Sequence, residues 1–182
     1  MTELSSPIIT LETPRLSLRA VTPEIYRELF TVRTEAEAEA FLGPIWQQER
    51  AKYRNGVTTF HKSFLWFQII TKTENELIGS CGFHTWYLLH DRAEIGYALT
   101  DEANWGKGYM KEAIGPVIGY GFEQMQLNRI EAFIGPANQA SQRLVRGLGF
   151  VEEGLLRKHY IKDGVAEDSL VFGLLRSEYQ PA

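Results

Sequence analysis

Gly106 and Gly108 bracket Lys107 in the run Asn104-Trp105-Gly106-Lys107-Gly108-Tyr109. A Gly-x-Gly turn lets backbone N–H groups come close to a ligand, because no Cβ stands in the way. The strand-like run Ala93 to Leu99 precedes the turn, and a helix-like run begins near Lys107. A helix start adds unpaired N–H donors and the positive end of its dipole. Strand, turn and helix together make an anion cradle whose natural guest is a phosphate or pyrophosphate. Two nucleotide fingerprints fail at this point. No Gly-Lys-Ser/Thr run follows four spacer residues, and Lys111 stands where a dinucleotide site needs its third glycine.

Other residues carry chemistry with a plainer alternative beside it. Glu94 shares one strand face with Gly96 and Ala98, while Ile95, Tyr97 and Leu99 face the other way. A carboxylate beside small residues can accept a proton from a substrate ammonium, directly or through water. It can equally be a salt-bridged surface glutamate. Asn138 and Ser141 are three apart near a helix start, after Pro136, so they share a helix face. Both types are good helix caps. Cys81 lies in an apolar strand without a His–Asp pattern, which reads as a structural cysteine. His61, His84, His90 and His159 show no metal spacing, and His84 ends a strand on the presumed substrate side. Trp46, Trp66 and Trp86 either pack or line an acceptor cleft.

Length bounds the architecture. The 182 residues suit a single domain, 1–182, with room for a core. With 44% hydrophobic and 23% charged residues, the composition is that of an ordinary globular chain. A net charge of -4 and the lack of a dense basic stretch argue against nucleic-acid binding. Mild acidity tolerates a cationic substrate such as an amine. No apolar run is long enough for a bilayer, and the first residues lack a signal-peptide pattern, so no membrane partner and a cytoplasmic location are expected. One cysteine precludes an internal disulfide.

The elements that must position these residues follow from pattern. Arg15 to Arg19 alternates as a first strand. Thr22-Pro23-Glu24 opens a helix reaching about Arg33. Between residues 34 and 62, Glu35 to Ala40 and Gln47 to Arg54 favour helix around a break at Gly43-Pro44. Strands are expected at Phe64 to Thr71, Leu77 to His84 and Ala93 to Leu99. The helix after the glycine turn should bury Met110, Ile114, Val117 and Gly121, with a kink at Pro116 where the bond to Glu112 is lost. Asn128 to Ile134 is a further strand, and Asn138 to Leu148 a helix stopped by Gly149. Phe150 to Tyr160 and Asp168 to Leu175 close the chain as strands. About seven strands and four helices, mixed without strict alternation, make an α+β protein.

Several segments, in order, resemble the GNAT family of N-acetyltransferases, and within it the ribosomal-protein-alanine acetyltransferase branch. They are Glu12 to Arg19, Ala93 to Tyr97, Trp105 to Ala113, Leu127 to Ala132, Asn138 to Ser141, Leu148 to Phe150 and Glu153 to Arg157. The resemblance implies a twisted, mostly antiparallel sheet that splays open mid-molecule, and acetyl-CoA as cosubstrate. The pyrophosphate would sit on the backbone of Trp105, Gly106, Lys107, Gly108, Tyr109 and Met110. The pantetheine arm would lie along the strand ending at Ala98 and Leu99, with Asn138 bonding it. Arg143 and Arg146 would meet the ribose phosphate. One position departs from the wider pattern: Ala103 stands where the family usually has Gln or Arg, so a side-chain contribution there is absent.

The implied reaction moves acetyl from acetyl-CoA to a primary amine by direct attack in a ternary complex. Glu94 would take the ammonium proton, and Ser141, with Tyr160 as a second choice, would assist the leaving thiolate. Branch resemblance favours a protein or peptide N-terminal α-amine, that of a ribosomal protein among them, as acceptor. The alternatives are a small amine (polyamine, amino acid or aminoglycoside) and a noncatalytic acyl-CoA-binding module. Monomer and homodimer are both compatible with the sequence.

Overall fold

The computed structural model describes residues 4–56, 58, 59 and 61–180. Strand β1 (Thr10–Glu12) and strand β2 (Leu16–Val21) lead into helices α1 (Pro23–Thr31), α2 (Glu35–Leu42) and α3 (Trp46–Arg54). Strands β3 (Lys62–Thr71), β4 (Leu77–Tyr87) and β5 (Arg92–Leu99) then run as a meander. Helix α4 (Tyr109–Glu123), strand β6 (Arg129–Ile134), helix α5 (Gln139–Gly147) and the strands β7 (Val151–Lys162) and β8 (Val165–Leu175) complete the chain. The fold is α+β, as the pattern predicts. Eight strands form one sheet, one more than the pattern shows, because β1 is too short to alternate visibly. Residues 34–62 hold two separate helices. Thr34 starts α2 with a reciprocal cap to Glu37, and Gly43 ends it at φ 68°.

The sheet order is β1-β2-β3-β4-β5-β6-β8-β7. Neighbours are antiparallel except β5 and β6, which run parallel. That parallel pairing covers only Arg92 to Glu94 against Arg129 to Glu131. Beyond it the strands part. Residues Ile95 to Leu99 keep β4 on one edge and face a gap on the other.

Strand alternation sends side chains to two cores. Leu65, Phe67 and Ile69 of β3 join Cys81 and Phe83 of β4 under α4. Phe64 and Trp66 point the other way, toward Ile25, Tyr26, Phe41 and Trp46 of the first three helices. Of the face expected of it, helix α4 buries Ile114, Val117 and Gly121 and leaves Met110 half-buried, and it continues to Glu123 through exposed Pro116. At Gly121 a Cβ would lie 2.6 Å from the Phe83 ring, so the helix rests directly on β4.

Two bulges shape the gap. In β4, Phe83 pairs with Ile95 and Thr85 with Glu94, which leaves His84 as the extra residue. In β7 the register jumps from Leu156↔Ser169 to Tyr160↔Glu167, with Lys158 at φ 51° inside the bulge. The Asp168 carboxylate accepts the Lys158 N–H there at 2.8 Å and holds the distortion.

Candidate active site

The cradle at the end of β5 is built from backbone. Asp101 accepts the Ala103 N–H at 2.7 Å, and the Trp105 N–H donates to the Glu102 carbonyl at 2.9 Å. Gly106 and Gly108 then turn left-handed, at φ 71° and 80°. Gly108 opens α4 without any side-chain cap. Among the described residues, no protein acceptor meets the N–H groups from Gly106 to Lys111. The donors on offer are therefore those of Gly106, Lys107, Gly108, Tyr109, Met110 and Lys111. The Trp105 donor, expected from the sequence to be part of the set, is already used inside the turn.

Two motifs far apart in sequence meet at this turn. Glu112, in the first turn of α4, accepts from the Thr13 hydroxyl at 2.7 Å, the Arg15 N–H at 2.8 Å and the Arg15 Nε at 2.6 Å. The Arg15 guanidinium also donates to the Lys107 carbonyl at 3.0 Å and lies over the Tyr109 ring. Burial opposes the charge on Glu112, but these donors outweigh it and hold its carboxyl below the usual range. The start of β2 thus braces the cradle. Glu112→Ala is expected to lower stability by about 1–2 kcal/mol, because the buried Thr13 hydroxyl and the Arg15 amide lose their acceptor. Urea denaturation measures it; an unchanged midpoint would contradict the bracing.

The free edge of β5 has a definite phase. Thr100 donates its N–H to the Ile78 carbonyl on β4 at 3.0 Å. Antiparallel alternation then turns the Ala98 N–H and C=O toward β4 as well, and those of Tyr97 and Leu99 toward the gap. Of the two donors expected from sequence, Leu99 faces the opening and Ala98 does not. Tyr97 takes the place of Ala98.

Beside the gap lies a cleft of about 350 Å³ that gathers His84, Glu94, Tyr97, Asn138, Ser141 and Tyr160. Glu94 is buried at the last position where β5 pairs with β6. It accepts from the Tyr160 hydroxyl at 2.9 Å and lies 3.1 Å from His84 Nε2. Burial pushes the Glu94 carboxyl upward, but the bonds from His84 and Tyr160 prevail, and it sits below the ordinary range. Its contribution to stability is therefore complete above the ordinary glutamate pKa of about 4.3 and is lost as pH falls through the lower native value. Glu94→Gln should flatten the fall of stability below about pH 4.3. Urea midpoints across that range give the answer, and parallel curves for the two proteins would contradict it. Burial, then the neighbouring Glu94 charge, raises the Tyr160 hydroxyl.

Ser141 and Asn138 sit where α5 begins, across the cleft. The Asn138 Oδ1 accepts the Ser141 N–H at 3.1 Å, so Asn138 is the helix cap. The Ser141 side chain remains half-buried at the cleft wall. The Tyr97 hydroxyl, buried beside it, has no partner in hydrogen-bonding geometry among the described residues. Burial raises that hydroxyl, and the proximity of Ser141 tempers the rise. The two arginines of α5 do not line the cleft. Arg146 pairs with Glu152 at 2.6 Å and lies over the Phe172 ring. Arg143 is exposed, two residues from Ser141 and so on the opposite helix face. Cys81 is fully packed, its thiol pushed up to about 12 by burial, and takes no part.

A second cleft of about 400 Å³ opens on the face covered by the first three helices. Tyr26, Glu49, Lys52, Phe64, Trp66 and His84 line it. Glu49 is buried there, bonded to the Tyr26 hydroxyl and 2.6 Å from Lys52 Nζ. Trp66 lines this cleft, whereas Trp46 and Trp86 pack against the cores. His84 belongs to both clefts. The sequence places it near the substrate side, as a substrate contact or a plain core or surface residue, with no part in proton transfer. The missing signal is the bulge, which has no residue signature in β4.

Comparison with known proteins agrees with this geometry. Residues 15–151 match the family described as the acetyltransferase (GNAT) domain. The uncharacterized N-acetyltransferase p20 of Bacillus licheniformis is 45% identical over 113 residues, which are 62% of this chain and 63% of that one, just under two thirds of its length. YoaA of Bacillus subtilis, an uncharacterized N-acetyltransferase, is 33% identical over 91% of this chain and 96% of its own. The ribosomal protein uS5-alanine N-acetyltransferase of Escherichia coli is 30% identical over 96% of this chain and 95% of its own. Among solved structures, the ribosomal-protein-S5-alanine acetyltransferase of Vibrio fischeri superposes with a TM-score of 0.68 at 21% identity, over 95% of this chain and all of that one (100%). A spermidine N-acetyltransferase chimera of Vibrio cholerae SpeG and hSSAT gives 0.65 at 22% identity, over 90% and 97%. Those two likenesses concern the fold. The family match and the relatives aligned along nearly their whole length establish that this chain belongs to the GNAT family of acetyltransferases.

Proposed function

We propose that the chain transfers acetyl from acetyl-CoA to a primary amine by direct attack in a ternary complex, and that the acceptor is a protein or peptide N-terminal α-amine. One observation carries the reading. The sheet opens after Glu94, between a cradle of free amides and a cleft holding a buried carboxylate. The residues present fit the cosubstrate. Free N–H groups from Gly106 to Lys111 suit a diphosphate, and the outward groups of Tyr97 and Leu99 suit an amide-bearing arm.

Held together, amine and thioester react with much of the barrier removed by positioning. An N-terminal α-amine has a pKa of about 8, so modest help removes its proton. That proton leaves into the cleft that holds the Glu94 carboxylate and the groups bonded to it. The outward N–H of Tyr97 or Leu99 polarises the thioester carbonyl. Ser141 supplies a hydrogen bond to the departing sulfur, and the buried Tyr97 hydroxyl stands next to it. Tyr160, considered for that role from the sequence, is instead engaged with Glu94.

The relative that acts on uS5 supports a peptide acceptor. A polyamine is the second reading, favoured by buried Glu49 in the second cleft. Incubation with acetyl-CoA and a panel of peptides and polyamines, read by mass spectrometry, separates them. A mass gain of one acetyl on a peptide N-terminus is expected. Acetylated polyamines with unmodified peptides would overturn the acceptor, and tight acetyl-CoA binding without any acetylated amine would leave a noncatalytic module.

A further inference from the structure

Resting on that reading, we propose that His84 is the group that accepts the proton from the acceptor ammonium, with Glu94 and Tyr160 as its positioning residues. His84 is the extra residue of the β4 bulge, and a bulge re-aims the side chain it carries. Its imidazole packs against Gly96, where a Cβ would sit 2.8 Å from Nδ1. Only glycine leaves room for the ring in that pose. Its Nε2 is 3.1 Å from the Glu94 carboxylate. A carboxylate there fixes the proton on Nε2 and leaves the Nδ1 lone pair free. Glu94 in turn is held by Tyr160, which the second bulge carries to it.

Access separates the two groups of the pair. The His84 side chain is 50% exposed and lines both clefts, whereas that of Glu94 is 12% exposed and lines only the inner one. An amine entering past Tyr26, Phe64 and Trp66 meets the imidazole before the carboxylate. The Glu94 carboxyl also sits below its ordinary range, which makes it a weak base and a good partner for an imidazolium. The titratable groups that share its two clefts are Glu94 from β5, Tyr160 from β7, Glu49 and Lys52 from α3 and Tyr26 from α1, and His159 of β7 acts on Glu94 through its charge.

The step balances. Nδ1 takes one proton from the ammonium, and the freed nitrogen lone pair forms the C–N bond at the thioester carbonyl. The C–S bond breaks with its electron pair on sulfur. The second nitrogen proton passes through the Ser141 hydroxyl to the thiolate. The imidazolium returns its proton to water.

The test is the pH dependence of kcat at saturating substrates for the wild type, His84→Gln, His84→Ala, Gly96→Ala and Glu94→Gln, with acetyl-CoA affinity as the folding control. His84→Gln should lower kcat about 100-fold or more and abolish the rise of kcat with pH. Added imidazole should restore part of the His84→Ala activity. Gly96→Ala should lower kcat by displacing the ring. Glu94→Gln should keep the rise of kcat with pH at a lower kcat, since the ring loses the carboxylate that holds its Nε2. A His84→Gln enzyme with the wild-type rise, or a rise erased by Glu94→Gln alone, would overturn the proposal. A wild type that acetylates no amine would instead refute the function on which it rests.

Discussion

Gly108→Val is expected to weaken acetyl-CoA binding about 100-fold. Gly108 stands at φ 80°, where a β-branched residue is a steric outlier. The cost of holding that conformation is about 1–3 kcal/mol, which spans roughly 5- to 150-fold in affinity. The loss should fall at the upper end, because relaxing the strain rotates the N–H groups on either side out of alignment. Crowding is not the cause: a Cβ there would lie 3.5 Å from the Arg15 guanidinium, an ordinary contact. Gly115→Ala, farther along α4 with no neighbour within 4 Å of the added Cβ, is the control and should bind normally. Calorimetric titration reads both. Equal affinities for Gly108→Val and wild type would show that the cradle does not hold the cosubstrate.

Ser141→Ala should lower kcat about 100-fold while leaving acetyl-CoA affinity and stability near wild type. The reason lies in which atoms do what at the start of α5. The helix cap uses the Asn138 carbonyl oxygen and the Ser141 backbone N–H, so the serine hydroxyl is dispensable for folding. Asn138→Ala should show the opposite pattern and lose about 1 kcal/mol of stability with the cap. Comparing turnover at saturating substrate with the denaturation midpoint distinguishes the two effects. Unchanged turnover in Ser141→Ala would remove the hydroxyl from the chemistry.

Those two positions also show what a sequence can and cannot reveal. The glycine turn was legible because a left-handed φ restricts the residue type, and Gly106 and Gly108 record that demand directly. The faces of α4 were legible because burial at a 3.6-residue period leaves a pattern, and Ile114, Val117 and Gly121 are buried accordingly. The roles of Asn138 and Ser141 were not separable by spacing, since capping and catalysis both favour polar residues at a helix start. The pairing of Thr13 and Arg15 with Glu112 joins motifs nearly a hundred residues apart, and nothing local announces it. Most hidden of all were the bulges. Which residue a strand leaves unpaired depends on its neighbour's register, so the placement of His84 and Tyr160 beside Glu94 emerges only when the sheet is assembled. Even the phase of the β5 edge, which favours Tyr97 and Leu99 over Ala98, follows from a single bond between Thr100 and Ile78.

A crystal structure of the protein with acetyl-CoA tests the central claim most directly. The diphosphate is expected on the amides of Gly106 to Lys111, and the thioester in the gap between β5 and β6, facing Ser141 and the Glu94–His84 pair. A cosubstrate bound elsewhere, with those amides unengaged and the gap closed, would contradict it.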